Sequence, residues 1–171
     1  MARDVFDPYA LLQALEGQRV TYIVVGALGR VLHGSDELTD GLDIVPATRE
    51  ENLRHLELAL DELNARRTDG KRLVLDRDLS RQPVLELQTD GGELKIIREP
   101  EGTRGYDDLR RRATREPIGR GLRPAVASPD DHARMLAALD REQDRVPLQT
   151  MQRLIELERE FHRGRGLSIE R

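Results

Sequence analysis

The chain contains no cysteine and no tryptophan, and its aromatic residues amount to three tyrosines and two phenylalanines. Without thiols there is no disulfide framework, no thiolate zinc site and no thiol nucleophile. So few aromatics cannot furnish the stacking surfaces on which RNA-recognition motifs and oligonucleotide-binding barrels lay bases. Long apolar runs are also missing. The longest are strand-sized, such as Ile23-Val24-Val25, so no segment reads as a membrane span and the first residues lack the apolar region of a signal peptide. The expected setting is cytoplasmic, with no membrane partner. The four histidines, at positions 33, 55, 132 and 162, are too scattered to form a metal cluster by spacing.

Apolar residues make up 37% of the 171 positions and charged ones 35%, a thin core under a heavily charged surface, and the length fits one domain. The 28 basic and 32 acidic residues leave a net charge of −4, and Lys71 and Lys95 are the only lysines.

Asp7 and Pro8 open a helix that carries Tyr9, Leu11, Leu12 and Leu15 and stops at Gly17. Val20 to Val25 reads as a strand, followed by Gly26-Ala27-Leu28-Gly29 and a brief helix to His33-Gly34-Ser35. A polar loop from Asp36 to Asp40 leads to a second strand, Leu42 to Pro46, in which Gly41 and Asp43 share one face and Leu42 and Ile44 the other. Thr48 to Glu51 fits a capping box for a helix running toward Arg67. Arg72 to Leu75 suggests a short strand. Pro83 to Gln88 and Glu93 to Ile97 flank Asp90-Gly91 as a hairpin, in a register that sets Glu86 opposite Lys95 on its polar face. A short helix through Leu109 and Ala113, a strand at 125–127, a helix capped by Ser128 and a last helix from Pro147 follow, with fraying from Gly164 onward. The sum is an α+β, or mixed α/β, domain: a small mixed sheet with helices packed on one side, a core over 1–127 and C-terminal helices over 128–171 on the same domain.

The order of strand, glycine, short helix, loop and acid-bearing strand resembles the nucleotidyltransferase superfamily of DNA polymerase beta, especially its small bacterial members. That family's signature is an apolar residue, Gly, Gly or Ser, a spacer, then Asp, apolar, Asp or Glu, apolar. Here Val25-Gly26-Ala27 is followed by thirteen residues and then Gly41-Leu42-Asp43-Ile44. Further pieces agree in order, from His33-Gly34-Ser35 through Gly92 to Ile97, Tyr106 to Leu109, Ser128 to Met135 and Arg141 to Asp144, so the resemblance runs from Val20 to Leu157. It implies that Gly26, Ala27, Gly34, Ser35 and Gln143 lie against a nucleotide, and that strand carboxylates bind Mg²⁺. Two such ions need several convergent carboxylate oxygens.

The chain departs from that signature where the metal chemistry resides. Gly41 replaces the first strand acid, Lys95 takes the place of the third carboxylate, and Gln143 stands where close relatives carry lysine. Asp43 is the one metal ligand left, a remnant facing an ammonium. The expectation is a degenerate, non-catalytic domain that binds nucleotide or nucleic acid, or regulates a partner. Its first rival is an active Mg²⁺-dependent transferase of NMP to an RNA, protein or small-molecule hydroxyl, with displaced acids such as Asp40, Glu86 or Glu93. Its second is an interaction module, toxin–antitoxin-like or homodimeric. Asp36 and Glu37 read as solvated loop acids, His33 as a packed or capping histidine and His132 as a surface residue.

The stretch from Arg104 to Arg123 holds seven arginines and three acids, a local excess of +4 that leaves −8 elsewhere. Arg104, Arg110, Arg111, Arg112 and Arg115 are therefore expected to form a patch for RNA or DNA phosphates.

Overall fold

A computed structural model of the protein describes residues 5–167. Asp7 Oδ1 accepts the N–H of Ala10 at 3.1 Å and Pro8 occupies the first helical position, which starts α1 (Pro8–Gly17). The other helices are α2 (Gly26–Leu32), α3 (Glu50–Glu62), α4 (Leu75–Arg81), α5 (Tyr106–Leu109), α6 (Pro129–Leu139) and α7 (Arg145–Leu167). The strands are β1 (Tyr22–Val25), β2 (Gly41–Pro46), β3 (Arg66–Arg67), β4 (Val84–Thr89), β5 (Gly92–Ile97), β6 (Thr114–Arg115) and β7 (Ala125–Val126). Among the described residues they form one mixed sheet in the order β3-β4-β5-β2-β1-β7-β6, with β2 parallel to β5 and β1 parallel to β7.

Alternation along the central strands decides which face is core. Leu42, Ile44, Leu94, Ile96 and Leu87 are all fully excluded from solvent and pack with Leu11 and Leu15 of α1, Leu56 and Leu60 of α3, and Leu75 and Leu79 of α4. Each such side chain contributes roughly 1.5–3 kcal/mol by leaving water. On the opposite face, Ile23, Val25 and Val45 meet Leu109 of α5 and Met135 of α6 in a smaller cluster. That cluster covers β1, β2 and the residue after β7, and Asp43 and Lys95 lie beside it on the same face. The hairpin has the register expected of it, with Thr89 opposite Gly92 and Glu86 opposite Lys95.

Several local expectations are corrected. Residues 72–75 are not a strand: 72–74 join no sheet, and α4 begins at Leu75, where Leu75 and Leu79, one helical turn apart, face the core and Asp78 Oδ2 accepts the Val74 N–H at 2.8 Å. Helix α3 stops at Glu62, because Asn64 takes a left-handed φ of 51° and Arg66-Arg67 then pair with Gln88 and Leu87. No capping box forms at Thr48. The cap position is Arg49, without a side-chain hydrogen bond. The first turn of α3 is instead fixed by buried Asn52, whose Oδ1 accepts the Thr21 N–H at 2.7 Å while its Nδ2 donates to the carbonyls of Thr21 and Ala47 at 2.9 and 2.7 Å. Helix α5 ends at Leu109, and Thr114-Arg115 then lie antiparallel to β7. Helix α7 begins at Arg145 and continues past Gly164 to Leu167; the rest of the segment expected to fray, 168–171, lies outside the described residues.

Asn52→Ala would leave the Thr21 N–H and the Ala47 carbonyl, at the junction of β1, β2 and α3, without a partner, while the Thr21 carbonyl keeps the Ala47 N–H at 3.1 Å. The expected loss is about 2–4 kcal/mol of unfolding free energy, measured by urea denaturation, and a loss below about 0.5 kcal/mol would show that this amide does not tie the junction.

Candidate functional site

The polar end of the sheet is built by three adjacent strands. The pairings Val25↔Asp43 and Asp43↔Lys95 place these side chains in a row on one face, with Gly41 opposite Glu93 at the strand starts. Gly26, at the turn from β1 into α2, has φ +71°, and a Cβ there would collide with the Asp43 carboxylate. A glycine is thus required both by the backbone and by the carboxylate leaning on it. At Gly41 a Cβ would stand 3.2 Å from the Glu93 carbonyl oxygen and 3.3 Å from its Cβ, so any side chain there needs β5 to yield slightly.

These residues floor a cleft of about 250 Å³. Gly26, Ala27 and Arg30 of α2 form one side, and Ile97, Pro100 and Glu101 another. The far wall is α6, through His132, Met135, Leu136 and Leu139, with Arg141 beyond it. The structure therefore brings Gly26, Ala27, Gly41, Asp43 and Lys95 together, with Asp40 and Glu93 beside them. Gly34, Ser35, Gln143, Glu86 and Asp36 do not line the cleft. Ser35 and Glu37 form a clamp instead: Ser35 Oγ donates to Glu37 at 2.7 Å, and Arg30 donates to the same carboxylate from Nη2 at 2.8 Å and Nε at 2.9 Å. Burial pushes the Glu37 carboxyl up, but the bonds from Arg30 and Ser35 outweigh it and hold it below the usual range.

Burial raises the Asp43 carboxyl above the ordinary value of 3.8; Lys95 and Arg30 pull it back and Glu93 and Asp40 push it further up. Among the described residues its oxygens have no hydrogen-bond or salt-bridge partner. Burial works to lower Lys95, but the charges of Asp43, Glu93 and Glu86 prevail and keep its ammonium above the ordinary value. Its Nζ lies 3.5 Å from Glu93 Oε1. The side chains present do not fit a pair of Mg²⁺ ions. Among the described residues no three His, Asp or Glu groups are disposed to hold a metal, and the partner across from Asp43 is a cation.

His132 is not at the surface. It is 1% exposed, its ring fills the space left by the missing side chain of Gly29, and neither ring nitrogen has a partner among the described residues. Burial, with the nearby charge of Arg30 and the neighbouring His33, depresses it to about 3, so the imidazole is neutral. His33 packs edge-on against it at 5.9 Å and its Nε2 bonds the Ala127 carbonyl at 2.7 Å, the packed role expected of it. The i, i+3, i+4, i+7 spacing of His132, Met135, Leu136 and Leu139 was the sequence signal for this wall; Arg30 and Glu101 carried none.

Of the five arginines expected to form a patch, three border adjoining concavities and two do not. Arg104 and Arg110 share one surface concavity and Arg104 and Arg111 the next, whereas Arg112 lies 3.6 Å from Asp131 and Arg115 donates to the Arg123 carbonyl at 3.2 Å.

The fold of this chain is shared with solved nucleotidyltransferase structures. The chain is similar to the lincosamide antibiotic adenylyltransferase LnuA in its lincomycin-bound form, with TM-score 0.60, 16% identity, 88% of this chain and 99% of that one. It is also similar to the antibiotic-resistance factor ANT(2'')-Ia, with TM-score 0.55, 12% identity and 95% and 92% coverage. A Thermotoga maritima protein named as a nucleotidyltransferase gives 0.51, 17%, 94% and 89%. No protein-family model and no curated protein sequence matches the chain. No described helix is long and apolar enough to cross a membrane.

Two outcomes follow from the electrostatics. Because the folded state holds the Asp43 proton more tightly than the unfolded chain, the charged carboxylate costs stability as pH rises from about 4. Asp43→Asn should gain melting temperature relative to the wild type between about pH 4 and 7, and an offset independent of pH in calorimetry would refute the raised pKa. In imidazole NMR spectra His132 should stay neutral down to about pH 4; titration near the ordinary histidine value would mean that the ring is not buried in solution.

Proposed function

We propose that the chain is a nucleotide-binding domain of nucleotidyltransferase fold that holds its ligand without metal-dependent group transfer. The observation behind this reading is the pairing of Asp43 with Lys95 across β2 and β5. An ammonium in the row of a metal site attracts phosphate oxygens but offers no Lewis acidity to activate a hydroxyl. Gly26 and Ala27 let a phosphate approach the start of α2 closely, and Met135, Leu136 and Leu139 offer an apolar wall to a base. The nucleotide as ligand class is supported by the neighbours' names, one of which is an adenylyltransferase.

A rival reading has one observation in its favour. Asp40, Glu93 and Glu101 line the same cleft as Asp43, and on that reading the protein moves a nucleotide to a hydroxyl of a small molecule, with those acids displaced from the usual positions.

Calorimetric titration of ATP, CTP, GTP and UTP, with Mg²⁺ and then with EDTA, separates the two. The expected result is binding that survives EDTA and weakens about tenfold, roughly 1.4 kcal/mol, in Lys95→Ala. Binding that vanishes in EDTA, accompanied by Mg²⁺-dependent nucleotide transfer that Asp43→Ala abolishes, would overturn the proposal in favour of the enzyme.

A further inference from the structure

Three polar surface concavities stand in a row and share arginines. The first, of about 500 Å³, has Arg81 and Arg98. The second, of about 490 Å³, has Arg98, Arg49, Arg104 and Arg110, and the third, of about 550 Å³, has Arg104, Arg111 and Arg134. Arg98 thus belongs to the first two and Arg104 to the last two. The row gathers seven arginines against the carboxylates of Glu99, Asp107 and Asp108, an excess of +4 on a chain whose net charge is −4.

The fold assembles this row from distant parts of the sequence. Parallel pairing of β2 with β5 brings both strands to the same sheet edge, where Thr48-Arg49 follow one and Arg98 the other. Gly105, at φ +80°, then lets the chain pass against the Arg98 carbonyl, from which a Cβ would stand only 2.7 Å away, and this returns Arg104 beside Arg98.

The availability of the guanidiniums is the second part of the case. Arg110 is engaged by Asp107 at 3.2 Å, and Arg134 by Asp108 and Asp131 at 3.0 Å each. The side chains of Arg49, Arg81, Arg98, Arg104 and Arg111 have neither a hydrogen bond nor an ion pair among the described residues. Elsewhere on the molecule Arg30, Arg67 and Arg141 are each held by a carboxylate through at least two hydrogen bonds.

We infer that this row binds the phosphate backbone of a nucleic acid strand, independently of what the Asp43 cleft holds. Planar guanidinium forks match phosphate oxygens in bidentate fashion, and a succession of open concavities accepts a flexible chain of regularly repeated anions. A bilayer is flat and would touch the rims alone. Tyr106 is the one aromatic residue lining the three concavities, so the row has no stacking platform and binding is independent of base sequence.

Fluorescence anisotropy with labelled 20-nucleotide RNA and DNA strands of mixed sequence tests the inference. With about four phosphates neutralised, binding should weaken about 50-fold between roughly 50 and 200 mM salt, equally for different sequences. The triple variant Arg49→Gln, Arg98→Gln, Arg104→Gln should bind at least about tenfold more weakly at low salt, with its log–log salt slope reduced by about two. Arg112→Gln with Arg115→Gln, outside the row, should bind like the wild type. Thermal melting checks that the triple variant is folded, and Arg81→Gln with Arg111→Gln is a second disruption that should lower affinity in the same way. The inference fails if no strand binds at low salt, if both row variants bind like the wild type, or if affinity depends on base sequence. It fails equally if inorganic tripolyphosphate binds these arginines and no oligonucleotide does.

Discussion

The parallel register between β2 and β5 is the constraint on which the rest of the molecule depends. Leu42 and Ile44 lie opposite Leu94 and Ile96, and all four are excluded from water. A slip of one residue would turn this apolar set to the open face and bury Asp43 and Lys95 in its stead. Core burial therefore fixes the polar pair without any direct bond between the two groups. The same register sets Gly41 against Glu93 at one sheet edge and brings Arg49 beside Arg98 past the other.

The cleft illustrates how one face of a sheet can keep charge in a partly dry place. The Asp43 carboxylate stands over a glycine turn and opposite an ammonium, so the desolvation that raises its pKa is only partly compensated. Lys95 is itself held charged by three carboxylates, Asp43, Glu93 and Glu86. On the far wall His132 stays neutral because ionising it would set a second positive charge in a buried position near Arg30. The positive charge of the cleft is thus concentrated on Lys95, Arg30 and Arg141, and the last two are already bonded to Glu37 and Asp144. Lys95 combines half-exposure with a lone contact at 3.5 Å, which makes it the cation of this cleft most free to meet an incoming anion.

Much of this was legible in the sequence where a local rule and the global fold agree. The Asp7-Pro8 start, the two-residue turn at Asp90-Gly91 and the alternation in Gly41 to Pro46 each allow one arrangement, and each was found. Legibility failed where tertiary partners decide. Residues 72–75 look like a strand, but 72–74 pair with no strand, and at Leu75 the burial of Leu75 and Leu79 and the bond from the Val74 N–H to Asp78 start a helix instead. Thr48 looks like a cap until Asn52, anchored on two other segments, fixes the helix start. His132 looks exposed because it sits in the first turn of a helix, and nothing local reveals that Gly29 leaves room for its ring. The arginine patch was legible only in part for a related reason: Arg104, Arg110 and Arg111 border adjoining concavities, while Arg112 and Arg115 turn to Asp131 and the Arg123 carbonyl.

Residues 97–105 make the cleft and the arginine row parts of one construction. Ile97, Pro100 and Glu101 face the cleft, while Arg98, Glu99 and Arg104 face the row. The segment is not a loose connector. Thr103 donates from its N–H at 3.0 Å and its Oγ1 at 2.9 Å to the Pro100 carbonyl, and Gly105 N–H donates back to Thr103 Oγ1 at 3.2 Å. Arg104 N–H bonds Asp108, which Arg134 of α6 grips in turn at 3.0 Å. Burial tends to raise the Asp108 carboxyl, but those two bonds come first and hold it below the ordinary value, so the clasp stays charged and closed at neutral pH. Because α6 also supplies His132 and Met135 to the cleft, a shift of this segment that widened one concavity would strain the wall of the other. The two surfaces are therefore positioned by one set of hydrogen bonds, and the geometry of either can be altered through Asp108 without touching a residue of the sheet.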